Sequence, residues 1–194
     1  MKVVSIDIGE KNFAYSIIQF IKTPETSTAL IKVLKTFHHN ILNEVKAKQT
    51  ILNSCIKLCH ILETDADIFE CNLILIEQQM RTNIRAQRIA QHLWSYLYTK
   101  FIVLKNKPLL EIVMVPSSLK TQTFLGSNVL KSHERKKWAI SIILSKEIFT
   151  IVKSKFNIDV EISKDVLEII NNLPKKDDVC DTILQAIAYY IKHM

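Results

Sequence analysis

The chain has 194 residues, 48% hydrophobic and 23% charged, with 26 basic against 19 acidic side chains and a formal net charge of +7. That length suits one domain that buries a core without metal or disulfide staples, and the apolar fraction excludes a disordered chain. No window approaches the ~18 consecutive apolar residues of a membrane span, so no membrane partner is expected.

Taken in chain order, residues 2–8 (KVVSIDI) read as a buried strand, and 13–21 and 29–37 as two more, joined by a turn at Pro24 and the Thr/Ser cluster of 23–28. Residues 43–63 carry apolar side chains at helical spacing, with Leu52, Cys55, Ile56, Cys59 and Leu62 as one stripe. A short apolar run, 72–77 (NLILIE), predicts a buried strand ending in an acid. The stretch 83–104 predicts a long helix with Ile89, Leu93, Leu97 and Phe101 inward and Trp94 and Tyr98 beside that stripe. Strand 110–115 closes at Pro116, and a polar, basic loop follows through Gly126. A helix over about 132–148 comes next. Residues 150–176 are the least patterned, with room for a strand and a short helix. Residues 177–192 predict a terminal helix with Val179, Cys180, Ile183, Leu184, Ile187 and Ile191 inward. Three strands in a meander, then alternating helix and strand, describe an α/β domain: a mixed sheet with helices on its faces.

The four cysteines contain no CxxC pair and read as core thiols, which fits a reducing, intracellular setting. The first strand begins at residue 2 with no apolar leader ahead of it, so no cleaved presequence is expected. Lysine (22) and isoleucine (29) are abundant, an A/T-rich coding bias more than a structural signal. Charge distribution says more. Residues 81–137 hold eleven basic and two acidic side chains, a +9 segment in a chain of +7. Such a face suits a polyanion. Lysines alone would as readily be a solvated surface, but three of the four arginines sit at 81, 85 and 88, with His92 next in phase on one side of the predicted helix. Arginine's fork matches phosphate oxygens better than lysine's point charge. Lys131, Lys136 and Lys137 extend the candidate binding face.

The acids are placed at some cost. Asp7 interrupts an apolar strand, Glu77 ends another, and Asp177, Asp178 and Asp181 open the last helix. A buried carboxylate requires a positive partner. An Asp at a helix start is ordinarily a cap, and a lone acid at a strand end is ordinarily exposed. Strand ends and helix starts, however, converge at one edge of a parallel-type sheet, where sites form. Clustered carboxylates suit hard divalent ions, magnesium or manganese, and four can hold two ions about 4 Å apart for phosphodiester hydrolysis. Gly9 beside Asp7 would let ions or phosphate approach the strand. An Asp-x-Gly start also opens actin-like sugar kinases, but those need two domains and glycine-rich loops, and this chain has two glycines.

SIDIGEKNFAYSI, LILIEQQMRTNIRAQRI and KKDDVCDTILQAIAYY together resemble the RuvC-type Holliday junction resolvases of the ribonuclease H-like superfamily, nearest the poxvirus branch. The resemblance spans roughly 2–137 and 174–193 and leaves 145–172 as a candidate family-specific insertion in a single domain. It implies a ribonuclease H-like fold with a five-stranded central sheet, and metal-binding acids at Asp7, Glu77, Asp178 and Asp181. Asp177 is the alternative partner of Asp181, one helical turn away. It implies a lysine at the scissile phosphate, matched by Lys120, and a second at the next helix start, matched by Lys136 or Lys137. The implied activity is magnesium-dependent, symmetric nicking of four-way junctions by a homodimer, with manganese substituting. In a poxvirus-like setting this would resolve viral DNA concatemers in the host cytoplasm. A nuclease for flaps or RNA–DNA hybrids and a non-catalytic branched-DNA-binding protein are the competing readings.

Overall fold

The computed structural model describes residues 1–22, 28–41, 51–105, 109–126 and 130–193. The turn assigned to Pro24, the start of the helix expected from residue 43, and Lys107 lie outside the described residues. Three antiparallel strands come first: β1 (Lys2–Ile8), β2 (Asn12–Lys22) and β3 (Ala29–Asn40). Helix α1 (Ile51–Thr64) and a 3-10 turn (Ala66–Glu70) lead to β4 (Leu73–Gln78), which pairs parallel with β1. Helix α2 (Ile84–Leu97) continues into a π-helical turn (Tyr98–Leu104), and β5 (Glu111–Pro116) pairs parallel with β4. Next come α3 (Leu119–Leu125), α4 (Ser132–Leu144), α5 (Glu147–Phe156), β6 (Ile158–Ile162), α6 (Lys164–Asn172) and α7 (Lys176–His193).

The sheet has six strands in the order β5-β4-β1-β2-β3-β6, one more than expected. The sixth comes from the weakly patterned segment: β6 is five residues long and adds parallel to β3 at the sheet edge. Its two buried positions, Ile158 and Ile162, are too few to separate it from the flanking helices by periodicity.

Alternation along the strands divides the core. Val4, Ile6 and Ile8 of β1 face α1, α2 and the π-turn; Val3 faces α3 to α7. The stripe Ile89, Leu93, Leu97 and Phe101 is buried as its spacing requires. In α1 the inward stripe is Cys55, Leu58 and Leu62, while Leu52 and Ile56 are exposed. Both sets have helical spacing, and only the packing partner selects between them. Helix α7 is enclosed nearly all round: Val179, Cys180, Thr182 to Ala188 and Tyr190 are buried between the sheet and the neighbouring helices.

Two further local expectations are corrected. The basic loop after Pro116 is largely helical, since α3 buries Leu119, Lys120 and Phe124 and ends at Gly126, whose φ of 65° suits a residue without Cβ. The predicted helix 132–148 breaks at Lys146, which takes a left-handed conformation (φ 62°) with no Gly or Pro to announce it.

Candidate active site

The site lies on the α7 side of the sheet, at the carboxyl ends of β1 and β4. Asp7 pairs across strands with Ala14 of β2, and Ala14 pairs with His38 of β3. These three side chains therefore share one face. The row before it is Ser5, Ser16 and Thr36. Helix α7 is fastened to that row by two buried hydrogen bonds: Gln185 Nε2 donates to Ser5 Oγ at 3.1 Å, and the hydroxyls of Ser16 and Thr182 meet at 2.6 Å. Four residues of helix advance about 6 Å, nearly the two-residue advance of a strand. With Gln185 over Ser5, Asp181 is consequently carried over Asp7. Glu77 arrives from the end of the neighbouring parallel strand.

Carboxylate oxygens of Asp7, Glu77 and Asp181 all lie within 4.8 Å of one another. The Lys120 ammonium, from α3, sits 2.9 Å from Glu77 Oε2 and 3.0 Å from Asp181 Oδ2. When all three are ionised, three carboxylates against one ammonium leave two negative charges uncompensated. Desolvation, then repulsion from Glu77, raises the Asp7 carboxyl well above its ordinary range, against the pull of Lys120. Glu77 is likewise raised, by desolvation first, with Lys120 opposing and Asp181 adding to it. Burial acts to lower Lys120, but Glu77, Asp181 and Asp7 together outweigh it and the ammonium is held more firmly than in water. An all-oxygen donor set with excess negative charge fits a hard divalent cation.

Asp177 and Asp178, the two register alternatives, point to different partners. Asp178 Oδ2 lies 3.3 Å from His38 Nε2, and its carboxyl is raised by desolvation, then by Asp177. Asp177 receives a 2.5 Å hydrogen bond from Lys136 Nζ. Desolvation pushes Asp177 upward, yet the hydrogen bond and charge of Lys136 leave its carboxyl low. Neither belongs to the three-carboxylate group.

A cleft of about 130 Å³ opens beside the acids, lined by Glu77, Lys120, Arg135, Lys136, Trp138 and Asp181 among others. Arg135 is half-buried there, with its Nε enclosed and without a hydrogen-bond partner. It belonged to the basic segment but not to the candidate binding residues. Its adjacency to Lys136 and Lys137 hid it, because only the phase of α4 tells which of three consecutive cations faces inward.

The remaining basic candidates, Arg81, Arg85, Arg88, Lys131 and Lys137, are exposed. Arg81 lies in the turn before α2, which starts after the N-cap Asn83; Arg85 and Arg88 are on the helix itself. Arg85 pairs with Glu10 at 2.5 Å, bringing α2 to the β1–β2 turn. In that turn the Gly9 N–H donates to the Asn12 carbonyl, and a Cβ on Gly9 would make only ordinary contact at 3.5 Å. The fold itself leaves room for a side chain there.

Solved structures share this architecture. The yeast mitochondrial Holliday junction resolvase Ydc2 matches with a TM-score of 0.61 at 20% identity, over 97% of this chain and 78% of that one. Fowlpox virus resolvase, solved with substrate Holliday junction DNA, matches at 0.63 and 16%, over 99% and 97%. Thermus thermophilus RuvC matches at 0.54 and 13%, over 98% and 95%. The fold is that of the Holliday junction resolvases. Sequence relatives of this resolvase-fold chain include protein 97L of Invertebrate iridescent virus 3, 24% identical over 224 aligned positions, covering 96% of this chain and 98% of the relative. Protein 170L of Invertebrate iridescent virus 6 is 27% identical over 220 positions, covering 96% and 87%. Both are uncharacterized proteins, and both are viral, as the resemblance implied, though from iridescent viruses and not poxviruses. No protein-family model matches the chain.

Proposed function

We propose that this chain is a magnesium-dependent, structure-selective endodeoxyribonuclease that resolves four-way DNA junctions by paired nicking. The observation that carries the reading is the carboxylate group of Asp7, Glu77 and Asp181, drawn together at one sheet edge of a resolvase fold with Lys120 against it. With Asp178 beside them, these acids would hold the divalent ions, with manganese able to replace magnesium. Bound there, such ions supply an activated water and neutralise the leaving oxygen in phosphodiester hydrolysis.

The chain's own residues do the rest. Lys120, whose ammonium form is favoured by Glu77 and Asp181, would act as a positive charge toward the scissile phosphate. Arg135 presents a guanidinium in the same cleft, suited to phosphate oxygens. Arg81, Arg85, Arg88, Lys131, Lys136 and Lys137 would hold the backbone of the flanking arms, giving recognition by shape and charge more than by base sequence. The two-fold character of a junction calls for two copies. Their contact surface is assigned to the outer face of α2, where the exposed Trp94 and Tyr98 stack at 5.3 Å beside Met114 of the edge strand β5. The relatives support a viral setting, in which the proposed activity would resolve branched replication intermediates into unit genomes inside the host cell.

The test is cleavage of a synthetic mobile four-way junction with and without magnesium, beside flap, splayed and RNA–DNA hybrid substrates. Asp7→Asn is expected to abolish cleavage while junction binding persists. Cleavage surviving in that variant, or a preference for hybrid or flap, overturns the assignment.

A further inference from the structure

The bulge in β3 has a directional effect. Ile17 pairs with Lys35 and Ile18 with Val33, so Leu34 is an extra residue without a cross-strand partner. Before it, the odd-numbered Ile31 and Val33 face the α7 side; after it, the odd-numbered Phe37 packs with Phe13 and Tyr15 on the opposite side. The inversion is what brings the even-numbered Thr36 and His38 onto the α7 face. Bulges re-aim side chains in this way near sites. His38 thereby joins the row of Asp7 and Ala14. The His38 side chain is 7% exposed, and its Nε2 meets Asp178 Oδ2 at 3.3 Å. Its chain neighbour His39 points the other way, into the stack of Phe13, Tyr15 and Phe37.

We infer that His38 is a positioning residue for the metal site, acting through Asp178. An ionised carboxylate only accepts, so Nε2–H donates to Oδ2. That bond fixes the side chain of Asp178 and leaves Oδ1 to turn toward a cation held by Asp7 and Asp181. The arrangement also separates the two neighbouring acids: Asp178 faces His38, whereas Asp177 is paired with Lys136 at 2.5 Å. This inference rests on the proposed metal-dependent nuclease and refines which acid serves it.

The experiment measures manganese binding to the DNA-free protein by electron paramagnetic resonance titration, together with the magnesium-dependent rise in melting temperature and the magnesium dependence of junction cleavage. His38→Ala is expected to weaken metal binding by roughly 10- to 100-fold, the usual effect of removing an outer partner of a ligand, with cleavage recovering at high magnesium. His38→Gln, whose amide N–H can occupy the Nε2 position, should restore most of the affinity. In an Asp178→Asn background, His38→Ala should add no further loss. Unchanged metal affinity in His38→Ala overturns the inference. So does a loss that His38→Gln fails to restore, or one that persists undiminished in the Asp178→Asn background, since either makes His38 a direct ligand or a purely structural residue. A parent protein that neither binds manganese nor cleaves the junction would instead refute the nuclease reading itself.

Discussion

Asp7 illustrates how a single residue trades stability against a candidate function. Its carboxyl is raised because burial and the charges of Glu77, Asp181 and Asp178 all favour the protonated form. A folded-state value above the unfolded one means that the favourable contribution is complete below the ordinary carboxylate range and is lost as pH rises through the raised value. The contribution of Asp7 to the stability of the metal-free protein is therefore expected to fall from about pH 4 upward, where an unfolded aspartate ionises. Asp7→Asn removes that penalty: at neutral pH in chelator, its melting temperature should exceed the parent's, each kcal/mol giving about 2–4 °C for a chain of this size. Equal melting temperatures would mean that the site relaxes around the charge. Lys120 gives the opposite sign. Lys120→Met leaves the carboxylates without their cation and should destabilise the metal-free protein by about 3 kcal/mol, as for other broken buried pairs. Added magnesium should recover more of that loss than it gains in the parent, as read by thermal melting over a magnesium titration.

Among the elements, α2 and α7 would divide the proposed work of binding and chemistry. The N-terminal end of α2 carries Arg85 and Arg88, with Arg81 in the turn before it, on a side of the molecule that reaches the β1–β2 turn through Glu10. If these residues hold DNA backbone, Arg81→Ala with Arg88→Ala should weaken junction binding and flatten the dependence of log affinity on log salt by about 1 for each phosphate no longer neutralised. A slope equal to the parent's would return both to the solvated surface. Helix α7 combines two amphipathic arrangements in one sequence. Its apolar positions build the core, while Thr182 and Gln185 meet the polar row of Ser5 and Ser16 and thereby carry the acids into line. Its acids could be read in the sequence as a helix start, but their targets could not, because Asp177 and Asp178 differ only in which neighbouring element each one faces.

At the scale of the whole molecule, the positive charge and the exposed aromatics lie outside the core. Trp94 and Tyr98 sit beside the buried stripe of α2 and are 37% and 43% exposed, an aromatic pair open to a partner surface. If two copies meet on this face as proposed, Trp94→Glu should shift dimer to monomer in sedimentation equilibrium and uncouple the two nicks on a junction. A dimer that persists unchanged would place the contact elsewhere.

Much of this molecule follows from its sequence alone. An apolar run marked out β1, the 3.6 period set the inward face of α2, and the cost of burying Asp7 and Glu77 marked both as a candidate site before any geometry was known. Those features are local: a residue's neighbours in the chain carry the signal. Tertiary structure decided what depends on partners far away in sequence. It chose Leu58 over Leu52 and Ile56 for the core, added β6 as a sixth strand, turned Arg135 into the cleft, and, through one extra residue at Leu34, rotated His38 from the aromatic side of the sheet to the side of the acids. A period of two records alternation but not the point at which pairing slips, and pairing is fixed only when β2 and β3 meet.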